Sequence, residues 1–171
     1  SLHEQSGANS CTKLRNSWWF ARRAIGFRAK AVYAHIYEPP SDLGRYDVAF
    51  FGAILLHLSN PFLALRRAAA ITDEAIIVTD PLSAGALLEV SDGVQQTVPI
   101  MLFNPTPLPV GLVHWWSLSP GAVVQMLRVL GFGDTTVSLH APAAMQPAPP
   151  LFTVVGRRPG GPRARVATVP D

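Results

Sequence analysis

Three short stretches of the chain are apolar almost without interruption: Ala29 to Tyr37, Tyr46 to Ile54, and Ala75 to Thr79. A strand with one wet face alternates apolar and polar residues, whereas a continuous apolar run belongs to a strand covered on both faces, as in a parallel sheet. Between the second and third runs lies Asn60-Pro61-Phe-Leu-Ala-Leu-Arg-Arg-Ala-Ala-Ala70. It offers a capping side chain, a proline at the first helical position, and Phe62, Leu65 and Ala69 spaced to meet a sheet. Strand, helix and strand in that order make a right-handed crossover. The chain is therefore expected to be α/β, with the three runs side by side, pointing the same way.

The flanking segments extend the pattern. Asn16 or Ser17 caps a helix running to about Ile25, which Gly26 stops. A long stretch rich in proline and glycine, Pro81 to Ser117, reads as an insert, with Met101, Phe103 and Pro105-Thr-Pro107 as material for a lid. Ser119-Pro120 begins another helix, with Val123, Val124, Leu127 and Leu130 as its apolar stripe and Gly131 as its end. Thr135 to Leu139 and Phe152 to Val155 suit an antiparallel pair at a sheet edge.

A length of 171 residues with 49% hydrophobic side chains and a mean hydropathy of +0.23 supports one core in one domain. The expected organisation is a loop or truncated edge over 1–15, a domain over 16–156, and a disordered basic tail over 157–171. No apolar run approaches the ~20 residues that cross a bilayer. The first residues carry no secretory pattern, and the single cysteine, Cys11, has no internal partner, so the cytoplasm is the expected compartment. The sequence pI of about 9.5 is a property of the tail. Four of the 14 Lys and Arg (Arg157, Arg158, Arg163, Arg165) follow Val155, with only Asp171 of the 11 acids, so ten bases face ten acids before it. Such a tail is either solubilising or a weak phosphate-binding arm.

Two local sequences resemble class I S-adenosylmethionine-dependent methyltransferases. Gly44-Arg-Tyr-Asp47-Val-Ala-Phe-Phe-Gly-Ala-Ile-Leu-Leu-His57-Leu-Ser-Asn-Pro61 is similar to that family's fourth strand and following loop. Met126-Leu127-Arg-Val-Leu-Gly-Phe132 is similar to the end of a later helix. Asn16-Ser-Trp18-Trp19, Val32-Tyr-Ala-His-Ile-Tyr37 and His114-Trp115-Trp116-Ser117 resemble pieces of bacterial enzymes related to tRNA wobble-uridine methyltransferases. The resemblance spans about Asn16 to Val155 and implies an incomplete Rossmann-like sheet, parallel strands with helices closed by a C-terminal antiparallel pair.

It also implies S-adenosylmethionine as cofactor, with His35, Ile36, Phe51, Gly52 and His57 at the strand ends where such folds bind nucleosides. His35 stands where relatives carry an acid that reads the adenine amine; an imidazole nitrogen can accept that hydrogen bond. Gly52 either walls the methionine side or allows close packing, and His57 either touches a ligand or caps its loop. Asp80, Trp115 and Trp116 are the substrate-side candidates. Asp80 is a base, an orienting group or a loop cap before Pro81; the tryptophans are a wall for a planar substrate or core filler.

The family's Gly-rich turn and ribose-binding acid have no counterpart after any of these strands. A sheet lacking those strands is expected to expose an edge and an apolar face, as a fragment or as a chain completed by a missing N-terminal segment or a partner. The expected function is methyl transfer to a small molecule or a tRNA base by in-line displacement, without a metal. A non-catalytic module packing against a partner is the alternative, and an oxidoreductase is disfavoured by the closing antiparallel pair.

Overall fold

A computed structural model describes residues 16–82, 98–107, 113–140 and 149–160. Its first helix, α1, occupies residues 16–25. There follow β1 (Tyr46–Gly52), a 3-10 turn (Leu55–His57), α2 (Pro61–Ala70), β2 (Thr72–Pro81), β3 (Met101–Pro107), β4 (Val113–Leu118), α3 (Pro120–Val129), β5 (Asp134–His140) and β6 (Leu151–Arg157).

The main sheet has the order β1-β2-β6-β5. β1 and β2 run parallel, with Phe50 beside Ile77 and Phe51 beside Val78. β2 and β6 are antiparallel, as are β6 and β5. The α/β expectation, the β1-α2-β2 unit and the closing antiparallel pair are all present. Both later helices begin as their sequences dictate: Asn60 Oδ1 accepts from Leu63 N at 2.9 Å, and Ser119 Oγ from Ala122 N at 3.1 Å, each followed by proline. α3 ends where Gly131 takes φ +88°, a left-handed turn that lets Phe132 N donate back to Leu127 O at 2.9 Å.

The core lies on one face of the sheet. Leu65 of α2, Ile76 and Val78 of β2, Leu127 of α3, and Phe152 and Val154 of β6 are buried there together. Each contributes about 1.5–3 kcal/mol by leaving water. The opposite face carries Val48 and Phe50 of β1, and Phe50 is 65% exposed. Among the described residues β1 is an edge strand.

Three expectations need correction. The run Ala29 to Tyr37 forms no strand: it is irregular, Tyr33 is 68% exposed, and the run ends in a turn closed by Glu38 N donating to His35 O at 2.9 Å. A β-prone run becomes a strand only beside another strand, and it pairs with none among the described residues. Two of the three runs, not three, therefore lie side by side. The insert between Pro81 and Ser117 also contains the antiparallel pair β3–β4, with a register shift between Phe103 and Thr106 where Asn104-Pro105 interrupts the ladder. The lid residues Met101, Phe103 and Pro105 thus belong to a strand. Order also continues past residue 156: Arg157 ends β6, and the Arg158 guanidinium lies 4.3 Å over the Phe132 ring and donates to Ala69 O at 2.9 Å. The remaining tail residues, 161–171, and the first 15 lie outside the described residues.

Candidate functional site

At the C-terminal end of β1 the chain turns sharply. Ala53 takes φ +50°, a left-handed conformation that costs a residue with a side chain, and its N–H donates to Thr79 O at 2.7 Å. A Cβ on Gly52 would stand 2.8 Å from the Phe50 ring, so the strand end is confined to glycine by its neighbour's side chain and not by a helix. Leu55 and Leu56 then plunge into the core within the 3-10 turn.

Beside this strand lies a cleft of about 410 Å³, lined by His35, Ile36, Phe51, Ile54, Ala64 and Arg67 among others. Three of the cofactor-side candidates, His35, Ile36 and Phe51, meet here. The irregular segment supplies its outer wall: Tyr37 Oη accepts from Asn60 N at 2.8 Å, and Arg67 Nε donates to Tyr37 O at 2.9 Å. His35 is exposed, and its Nδ1 accepts from Tyr37 N at 3.4 Å. In a neutral ring that leaves Nε2 as an N–H donor, whereas reading an amine requires an acceptor. Gly52 and His57 lie outside the lining of the cleft.

His57 instead binds the hairpin. Its Nδ1 donates to Val113 O at 3.0 Å, and its ring lies 6.0 Å from that of His114. Trp116 Nε1 donates to Leu58 O at 3.0 Å, so β4 is fixed against the loop after β1 from two sides.

Between β4 and the end of β2 is a smaller cavity of about 200 Å³, lined by Leu56, Asp80, Leu82, His114, Trp116 and Pro149 among others. Asp80 and Trp116 come together here. Trp115, on the other side of the strand, stacks on Phe103 with centroids 6.2 Å apart, outside the cavity lining. Asp80 is 1% exposed, and neither carboxylate oxygen has a hydrogen-bond partner among the described residues. Burial pushes its pKa from 3.8 up to about 7. A loop-capping aspartate would use its oxygens on nearby N–H groups; among the described residues Asp80 has no such partner.

Sequence reasoning singled out neither His114 nor Arg67. For His114 the signal was available: it stands two residues before Trp116, on the same face of any strand containing both. For Arg67 there was none, because its place depends on where the irregular segment folds back.

No family model and no curated protein sequence matches the chain. Solved structures do. The chain overlays on the N-terminal domain of EvdMO1, solved in the presence of SAH and D-fucose, with a TM-score of 0.56 at 22% identity, covering 85% of this chain and 61% of that one. It overlays on the 1,6-didemethyltoxoflavin-N1-methyltransferase of Burkholderia thailandensis, with bound 1,6-didemethyltoxoflavin and S-adenosylhomocysteine, with a TM-score of 0.59 at 14% identity, covering 82% and 56%. The fold is a methyltransferase fold. A further structure, the SAH-bound magnesium protoporphyrin IX methyltransferase (ChlM) of Synechocystis PCC 6803, gives a TM-score of 0.52 at 10% identity, over 82% and 57%. The chain spans about three fifths of the length of these structures. Among the described residues no helix is long and apolar enough to cross a membrane.

Proposed function

We propose that the chain is the acceptor-side half of a cytoplasmic S-adenosylmethionine-dependent methyltransferase, and that a further segment or a partner chain pairs with β1 to complete it. The observation that carries this reading is the sheet order β1-β2-β6-β5, parallel and then antiparallel, with a cleft and a cavity grouped around the C-terminal ends of the parallel strands.

The cleft fits part of the cofactor. Ile36, Phe51 and Ile54 suit the apolar faces of a nucleoside, and His35 at the rim presents an N–H to an adenine ring nitrogen. Among the described residues no acid lines the cleft and no Gly-rich turn follows a strand, so the ribose and amino-acid ends are assigned to residues beyond the described ones. When bound, the cofactor supplies an electrophilic methyl group on sulfonium. This chain's residues then confine and orient: Phe51 and Ile54, on either side of the Gly52-Ala53 turn, line the cleft, and the half-buried hairpin contacts of His57 and Trp116 hold β4 beside the cavity.

A small-molecule acceptor is favoured over a tRNA base of the wobble-uridine type, because the chain up to Val155 has as many acids as bases. Titration calorimetry of the full chain with S-adenosylmethionine tests the reading. Saturable binding that weakens in Phe51→Ala supports it; no heat at millimolar cofactor contradicts cofactor binding by this chain and favours a non-catalytic module.

A further inference from the structure

The 200 Å³ cavity combines a strongly apolar lining with an oddly matched polar pair. His114 Nε2 lies 2.8 Å from Trp116 O, a carbonyl that can only accept, so in the neutral ring Nε2 carries the proton and Nδ1 is left as an acceptor. Asp80 contributes two more acceptor oxygens, both without partners among the described residues. Trp116, whose own N–H is taken by Leu58 O, offers the cavity only its ring. Among the described residues, the cavity is thus lined by acceptors, apolar surface and the Ser117 side chain, with His114 and Trp116 held by bonds on their far sides and Asp80 by none. A buried carboxylate left in this condition costs stability, and a partner arriving with an N–H or O–H would relieve it.

We propose that this cavity seats the methyl acceptor, and that the acceptor is a small, neutral ring compound whose nucleophilic hydroxyl or ring N–H donates its hydrogen bond to Asp80. The word acceptor rests on the methyl-transfer reading; the ligand class rests on the cavity alone. A cavity of about 200 Å³ lined by Leu56, Leu82, Trp116 and Pro149 takes one substituted six-membered ring, since voids near 150 Å³ lined by apolar side chains already hold benzene. In the transfer step the acceptor's lone pair forms the new bond to the methyl carbon while the carbon–sulfur bond breaks, its electron pair staying on sulfur. The acceptor's proton passes to the Asp80 carboxylate, which leaves both partners uncharged. Burial that raises the carboxyl's proton affinity to about 7 suits it to take that proton near neutral pH.

The probe is phenol, with toluene as the same shape lacking a donor, followed in the 15N-labelled full chain through the Trp116 indole resonance. Phenol is expected to shift that resonance saturably and to bind at least ten-fold more tightly than toluene. In Asp80→Asn phenol should lose about that ten-fold, while toluene binds as before. Equal binding of the two probes, unchanged phenol affinity in D80N, or no shift with either overturns the proposal. A pH series on the wild-type chain is a second arm that does not depend on the variant folding. Among the described residues, besides Asp80 itself, His114 is the titratable group lining the cavity, the other side chains around it being apolar or hydroxyl-bearing. Phenol affinity should rise several-fold from pH 5.5 to 8 as Asp80 ionises, the rise should persist in His114→Gln, and toluene affinity should stay flat. A flat phenol profile, or loss of the rise in H114Q, contradicts the assignment to Asp80. Neither arm contains the cofactor, so a chain that binds phenol in this way but gives no calorimetric signal with S-adenosylmethionine would refute methyl transfer by this chain and leave the cavity's ligand class standing.

Discussion

A carboxylate that is 1% exposed and has no partner among the described residues makes folding depend on pH in a definite direction. With the folded-state pKa of Asp80 raised to about 7 from 3.8, the native chain holds the proton more tightly than the unfolded chain. Stability is therefore greatest below about pH 4, falls as pH rises toward about 7, and stays low above it, with a span of up to about 4 kcal/mol for this group. Melting temperatures measured between pH 5 and pH 8 should decline, and Asp80→Asn should flatten that profile and raise the melting temperature at pH 8. Destabilisation by D80N at pH 8 would mean that the carboxylate has a favourable partner after all. Arg158 is the opposite case, a charge with good contacts. It stacks over Phe132 and donates to the carbonyls of Ala69 and Thr72, joining the end of β6 to the α2–β2 corner. Arg158→Ala is expected to cost about 1–2 kcal/mol in chemical denaturation, more than Arg157→Ala.

At the scale of elements, Ser119 joins α3 to the start of the hairpin. Its Oγ accepts from Ala122 N and from Ile100 N at 2.9 Å, and donates to Val98 O at 2.6 Å. Ser119→Ala should therefore cost about 1–3 kcal/mol, above a cap exposed to solvent, because the buried N–H of Ala122 and the part-buried backbone groups of Val98 and Ile100 lose their partner. The cap itself could be read from Ser119-Pro120; its second duty could not, since it depends on a contact with Val98 and Ile100 some 20 positions away. The same division runs through the fold. Continuous apolar runs and capped, proline-led helices depend on near neighbours, and β1, α2, β2 and α3 stand where those signals place them. The run around Tyr33 has the composition of a strand, yet strand formation needs a neighbouring edge, which local composition does not encode. β3 and β4 were hidden for the converse reason: Asn104-Pro105 interrupts the pattern, and the register shift absorbs it. Within the site, strand ends were legible because the β1-α2-β2 order fixes where a nucleoside cleft lies. The partition of Trp115 from Trp116 and the roles of His57 and His114 required the hairpin.

At the scale of the whole molecule, the described residues cover one sheet face with α2 and α3, while the other presents Val48 and Phe50 beside an edge strand. Such a surface seeks a partner, so the isolated chain should associate as concentration rises, and Phe50→Lys should suppress that association in sedimentation velocity without lowering the melting temperature. A wild-type chain that stays monomeric with a sharp, cooperative transition would contradict this. The central claim is that the ends of β1 and β2, with the segment at His35, line a nucleoside site. It is tested most directly by titrating S-adenosylhomocysteine into the 15N-labelled chain and mapping the backbone amide shifts. The account predicts saturable changes at His35, Ile36 and Phe51 through Ile54, with β5 unaffected; an absence of change at these positions, or changes confined to the far ends of the strands near Tyr46 and Arg157, would contradict it.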